Sequence, residues 1–134
     1  NRKPYKSKNY LSQTMKHGKV NGKIIVGLIE EVNLISNDND EQVKAKVDTG
    51  ATRSSIDIKL ASKLNLGPVI KSKMVKSAHG NKLRRVIEAE VILAGTRLKA
   101  DFTLADRAHM KYSVLIGVNT LKNNFIVDPS KSKK

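Results

Sequence analysis

The stretch Val43-Lys44-Ala45-Lys46-Val47-Asp48-Thr49-Gly50-Ala51-Thr52 decides the fold. Its first half alternates apolar and polar residues with period two, the pattern of a strand with one face in a core and one in solvent. That strand runs straight into an acid, a hydroxyl residue and a glycine. A carboxylate held rigidly can act as a general base. Thr49 supplies a hydroxyl to lock the turn, and Gly50 permits a tight backbone and close approach of another group. The same three residues also serve as an ordinary turn after a strand, so the rest of the chain must choose between the two readings.

Working outward, residues 23–34 contain Ile24, Ile25, Val26, Leu28, Ile29, Val32 and Leu34, a β-branched stretch suited to strands. Ser36-Asn37-Asp38-Asn39-Asp40 is a polar turn cluster. Residues 57–66 predict a helix: Ser55 or Asp57 caps it, Leu60, Ala61 and Leu64 form a stripe, and Gly67-Pro68 stops it. Residues 70–75 and 83–93 predict strands around a turn at His79-Gly80-Asn81. Further strands are expected at 97–104, 114–116 and 125–127. Six or more strands with little helix predict a mainly β domain, a small closed or orthogonal barrel.

The 134 residues suffice for one domain. The absence of Cys excludes a disulfide scaffold and a thiolate site. No apolar run approaches the roughly 20 residues of a membrane-spanning helix. The formal net charge of +14 first suggests an anionic partner. That charge is uneven. Residues 1–23 hold seven basic residues and no acid, residues 122–134 hold four basic residues and one acid, and the stretch between is only mildly basic. The expected organisation is a flexible basic arm over 1–22, a domain over 23–130 and a basic tail over 131–134. Tyr5 and Tyr10 in the arm suit a weak, salt-dependent contact with nucleic acid. A basic nucleic-acid-binding protein is therefore one alternative function, but aromatics form only 4% of the chain, which leaves few platforms for base stacking. The arm lacks the apolar region of a signal peptide. A cytoplasmic location is favoured, and the start at Asn1 is compatible with removal of an upstream segment.

Asp48-Thr49-Gly50-Ala51 at a strand end resembles the signature of retropepsin-type aspartic peptidases. Their second signature, two apolar residues and a glycine beside a short helix near the C-terminal end, matches Leu115-Ile116-Gly117 followed by Val118-Asn119-Thr120-Leu121. More narrowly, residues 23–130 resemble the bacterial and archaeal retropepsin-like family labelled ATP-dependent zinc proteases. The carrying segments are Lys44 to Ala51, Arg107 with Tyr112 to Gly117, and Phe125 to Asp128. Two positions depart from pattern. Val118 stands where that family often has Arg, and Thr52 stands where retroviral enzymes usually place Asp.

The resemblance implies an aspartic endopeptidase with Asp48, Thr49 and Gly50 at the catalytic turn and Leu115, Ile116 and Gly117 as its supporting loop. This chemistry needs two carboxylates sharing a proton. One Asp-Thr-Gly per chain then implies a C2 homodimer with Asp48 of each copy meeting on the axis. The turn over 77–83 becomes a flap, and Ala51, Thr52, Ala78, His79, Gly80 and Asn81 become substrate-contacting residues. The substrate is a peptide or protein, and the basic charge favours acidic peptides. A retropepsin fold retained only for peptide binding or dimerisation is the other alternative. Neither word of the family label finds ligands: His17, His79 and His109 are scattered, and no phosphate-binding glycine loop is present. No metal and no cofactor are expected. Asp57 is expected to cap a helix, Asp101 and Asp106 to lie at the surface, and Asp128 to pair with Arg107 or Arg53.

Overall fold

The computed structural model describes residues 16–37, 39–78 and 80–131. The β-branched stretch over 23–34 breaks at Gly27-Leu28 into two strands, β2 (Lys23–Val26) and β3 (Ile29–Ile35). Glu30 marks the break by accepting the Gly27 N–H at 2.7 Å. The polar cluster after β3 turns the chain with Asp40 accepting the Ser36 N–H at 2.7 Å. The alternating strand follows as β4 (Glu41–Val47), with Ala45 and Val47 buried and Lys44 and Lys46 exposed. Next come β5 (Ser54–Asp57) and a short helix, α1 (Ile58–Lys63). Asp57 caps α1 by accepting the Leu60 N–H. The helix stops earlier than expected. Asn65 takes a φ of 52°, and its N–H bonds to Ser62 while Leu66 bonds to Ala61. This Schellman arrangement ends the helix before Gly67 is reached.

The second half is a strand meander: β6 (Val69–Ser77), β7 (Gly80–Leu93) and β8 (Thr96–Ala105). β6 and β7 meet with Ser77 opposite Gly80, so the connection comes earlier than predicted, and Gly80 opens β7 at a φ of 105°. His79, a predicted substrate contact, lies outside the described residues. Then follow β9 (Val114–Ile116), helix α2 (Val118–Leu121), β10 (Phe125–Val127) and a 3-10 turn over Pro129–Lys131. Both expected helices form: α1, between β5 and β6, is a shorter version of the helix predicted over 57–66, and α2 is the short helix near the C-terminal end.

Six strands close on themselves in the order β3-β4-β9-β5-β8-β7, with β7 pairing back to β3. A closed mainly β barrel is what the strand pattern predicted, and closure removes the free edges that six open strands would leave. β6 joins only β7. Each barrel strand contributes inward residues, among them Val32, Ala45, Ile56, Val91, Phe102 and Val114. Phe102 is the largest fully buried side chain.

A small second sheet runs β1-β2-β10, where β1 is Lys19–Val20 and β10 lies parallel to β2. Residues assigned to the basic arm by charge therefore include a paired strand. The turn between β1 and β2 is Asn21-Gly22, both at positive φ, a strong local signal for a two-residue hairpin that a count of charges does not detect. Residues 1–15 of the predicted arm and 132–134 of the tail lie outside the described residues. No helix among the described residues is long and apolar enough to cross a membrane.

Truncating Phe102 to Ala should cost about 3–5 kcal/mol of folding free energy, read from urea unfolding at constant m-value.

Candidate active site

β4 delivers Asp48. The Val47 N–H bonds to the Leu28 carbonyl at 2.8 Å, and the Asp48 N–H bonds to the Ile116 carbonyl at 2.9 Å. The second bond continues the parallel β4–β9 ladder, in which Val47 lies opposite Ile116. The acid is thus anchored at the barrel end, with its side chain half-buried. The turn then closes on itself: Gly50 N–H donates to Asp48 Oδ1 at 2.9 Å, and Ala51 N–H reaches the Asp48 carbonyl at 3.2 Å. A Cβ at position 50 would lie 3.2 Å from that same Oδ1, so glycine lets the backbone donor reach the carboxylate uncrowded. Thr49 and Gly50 are exposed at the tip.

The supporting loop arrives from the other end of the chain. Val118 N–H bonds to the Ala51 carbonyl at 2.8 Å, and Asn119 N–H bonds to the Thr52 carbonyl at 3.1 Å. Gly117 passes directly against the segment after the turn. A Cβ there would sit 2.6 Å from the Arg53 carbonyl carbon and oxygen and 2.8 Å from the Ala51 oxygen, distances no side chain tolerates. The two signatures, over 60 residues apart in sequence, form one unit held by backbone bonds.

Beneath this crossing lies a polar cluster absent from the predicted site. Ser54 is fully buried. Its Oγ accepts the Gly117 N–H at 2.9 Å, donates to Asn119 Oδ1 at 2.9 Å and lies 2.6 Å from Thr120 Oγ1. Asn119 Oδ1 also accepts the Ser54 N–H at 2.7 Å, and its Nδ2 donates to the Asp101 carbonyl at 3.0 Å. Every member is satisfied, which is the condition under which a buried polar network rigidifies a fold. The only hint in the sequence is a serine in a strand whose next inward neighbour is Ile56.

Arg107 holds the far end of β5. It is buried, and its N–H donates to Asp57 Oδ1 at 2.8 Å, its Nε to the Tyr112 carbonyl at 2.9 Å and its Nη1 to Ser55 Oγ at 3.2 Å. Burial pulls the guanidinium below its ordinary value, and the Asp57 charge opposes that shift. Asp57 therefore serves twice, as helix cap and as partner of Arg107. The expected pairing of Asp128 with Arg107 or Arg53 is not formed. Asp128 instead accepts the Ser130 hydroxyl at 2.7 Å and the Ser130 N–H at 3.0 Å. The hydroxyl bond is the main cause that holds its carboxyl below the ordinary value. Asp106 is exposed, as expected, whereas Asp101 is half-buried.

The described site residues fall on two elements. Asp48, Thr49, Gly50, Ala51 and Thr52 form one turn, packed on Leu115, Ile116 and Gly117. Ala78, Gly80 and Asn81 lie at the tip of the β6–β7 hairpin. His17 pairs with Glu30 at 2.9 Å, and His109 is exposed. Among the described residues no three His, Asp or Glu side chains gather as a metal cluster would.

The model of the RimB-like family, described as "Retropepsin-like aspartic endopeptidase RimB", matches residues 59–133. Two proteins named "Probable alpha-L-glutamate ligase" are similar: that of Shewanella pealeana is 30% identical over 115 residues, and that of Shewanella halifaxensis 31% over 115. Each match covers 67% of this chain and 25% of the relative, so the chain spans about a quarter of the curated relatives it matches. A Legionella pneumophila protein of unknown function has a similar structure, with a TM-score of 0.57 and 23% identity over 81% of this chain and 94% of that one. The simian foamy virus protease superposes with a TM-score of 0.51 and 19% identity over 67% of this chain and 87% of its own. These two likenesses concern the fold.

Ser54→Ala leaves the buried Gly117 N–H and one bond of Asn119 without their partner. It should destabilise the fold by about 1–3 kcal/mol, measured by urea unfolding. Gly117→Ala should be more damaging, because the clash is with backbone that has no rotamer to escape into.

Proposed function

Because the chain belongs to the RimB-like family of retropepsin-like aspartic endopeptidases, we propose that it hydrolyses peptide bonds with two Asp48 carboxylates, one from each of two copies. The observation that carries this reading is the Asp48 turn, with one carboxylate oxygen bonded to the Gly50 N–H and the turn locked from behind by Gly117. An Asp accepts the N–H two residues on in ordinary turns as well; the support here is the combination of that turn with the Gly117 lock in a family of aspartic endopeptidases.

One carboxylate is half of the chemistry. Two carboxylates about 3 Å apart cannot both ionise cheaply, so the pair retains one proton between them. The ionised member takes a proton from a water, which attacks the scissile carbonyl. The protonated member donates to the carbonyl oxygen as the tetrahedral intermediate forms. Proton return to the leaving nitrogen breaks the C–N bond. A two-fold axis through the Asp48 turns supplies both members from one gene product. In that arrangement Thr49 braces its counterpart across the axis, and Gly50, Ala51 and Thr52 line the peptide. The hairpin tip with Ala78, His79, Gly80 and Asn81 closes over the substrate and excludes water.

The favoured substrates are acidic peptides. Two features support this: the net charge of +14, and relatives whose names place them in glutamate chemistry. A strongly basic enzyme concentrates acidic chains by electrostatic steering.

Asp48→Asn should abolish cleavage with unchanged circular dichroism and melting temperature. Mixing is the sharper experiment. Excess Asp48→Asn chain added to native chain should titrate the activity away, because mixed dimers hold one carboxylate. Native-level cleavage by the variant, or activity indifferent to mixing, would overturn the two-copy site. Cleavage rate against pH should be bell-shaped, the profile of a coupled pair that must hold a single proton.

A further inference from the structure

β7 does two jobs along its length. Its pairing with β8 begins at Val86 and runs to Leu93, inside the barrel. Residues 80–85 pair only with β6, so this part of the β6–β7 hairpin stands clear of the barrel ladder. Residues 69–87 carry Lys71, Lys73, Lys76, Lys82, Arg84 and Arg85 and no acid. Outside the hairpin, Arg97 pairs with Glu90, and Lys63 pairs with Glu41 at 2.9 Å. Among the described residues none of the hairpin cations has a carboxylate partner. Lys73 and Arg84 even lie directly opposite each other, where like charges destabilise a strand pair. A hairpin that retains such repulsion is suited to an external anion.

The register separates the two faces. Along β7 the residues Ile87, Ala89, Val91 and Leu93 belong to the barrel core. Alternation continues that face outward through Arg85, Leu83 and Asn81. Their partners on β6 are Ser72, Met74 and Lys76. So the face continuous with the core carries an apolar pair, Met74 opposite Leu83, with Arg85 on one side and Lys76 on the other. Met74 and Leu83 are 60% and 65% exposed, among the most exposed large apolar residues of the chain. The opposite face carries Lys71, Lys73, Lys82 and Arg84.

We propose that this core-continuous face of the hairpin, Met74 and Leu83 flanked by Arg85 and Lys76, selects acidic peptide substrates by reading their side chains. This inference rests on the endopeptidase reading above and adds the residues that set its specificity. A glutamate side chain has an apolar stem and a charged head. Its methylenes fit over Met74 and Leu83, and its carboxylate meets a cation, with Arg85 able to bind it bidentately. Arg85 and Lys76 sit four residue steps apart along the hairpin, about 13 Å at strand rise. An extended peptide places the side chains of residues i and i+4 on one face at that same spacing. The face therefore suits an extended chain with repeated acids rather than a single charged residue. The hairpin has no Phe, Tyr or Trp, so it lacks the large aromatic platforms on which single-stranded bases stack.

The test uses the full chain, a glutamate-rich decapeptide and its all-glutamine counterpart. Two double variants remove the same charge from opposite faces: Lys76→Gln with Arg85→Gln, and Lys71→Gln with Lys82→Gln. At about 0.15 M salt, where long-range effects are screened, the first variant should lower kcat/KM on the glutamate peptide at least about tenfold, the loss expected for charge-assisted bonds. It should leave the glutamine peptide within about twofold, and the second variant should leave both peptides within about twofold. Equal losses from both variants, or no loss from either, would overturn the face assignment. If the native chain cleaves neither peptide, the endopeptidase reading fails separately. The face is then judged by fluorescence anisotropy of the labelled peptides, where glutamate-over-glutamine preference must exist and must vanish in the first variant alone. An oligonucleotide that displaces the glutamate peptide and binds more tightly through Arg85 and Lys76 would overturn the peptide assignment. Met74→Ser with Leu83→Ser should weaken cleavage of the glutamate peptide without changing the sedimentation coefficient. A loss of dimer with selectivity retained would instead assign the apolar pair to a second copy.

Discussion

A Cβ at position 117 would overlap the backbone of Arg53 and Ala51, and everything at the acid-bearing turn depends on its absence. Because Gly117 passes so close, Val118 and Asn119 can donate to Ala51 and Thr52. Because they do, the segment after Asp48 cannot relax away from β9. The carboxylate is then held from both sides, by the β4–β9 ladder before it and the Gly50 N–H after it. The buried Ser54 cluster fills the space beneath and satisfies the polar groups that such a crossing would otherwise strand.

The barrel sets the frame for that unit. Six strands close, and β7 supplies both the closing pair with β3 and one arm of the projecting hairpin. A single 14-residue strand thus ties the rigid body to its most exposed element. Pairing of the barrel half on both sides lets the hairpin half carry exposed apolar and cationic side chains without collapsing onto the core. The Arg107 and Asp57 pair does comparable service at the other end of β5, joining the loop before β9 to the start of α1.

Much of this was legible from local pattern. Period-two alternation located β4 and so the strand that presents Asp48. Asp-Thr-Gly and Leu-Ile-Gly marked the two loops, since each needs glycine for a close approach. Strands β8, β9 and β10 fell within a residue or two of expectation. The misses share a cause. The Asn21-Gly22 hairpin is a turn signal that the run of basic residues around it obscures. The early end of α1 depended on Asn65 entering the left-handed region, which the downstream Gly67-Pro68 masked. Asp128 needs no long-range partner, because a serine two residues away satisfies it.

The sequence by itself determined which residues prefer strand, where the chain must turn, and which single acid sits at a strand end beside a glycine. These are properties of a few neighbouring residues, set by sterics and by the alternation of a pleated backbone. Only the tertiary structure decided that Ser54 lies under Gly117, that Asp57 rather than Asp128 serves Arg107, and which hairpin cations share a face with Met74 and Leu83. Those facts join residues that barrel closure and strand register bring together. Hydrogen bonds and burial depend on distance in space, and a one-residue change of register would turn every hairpin side chain to the other face.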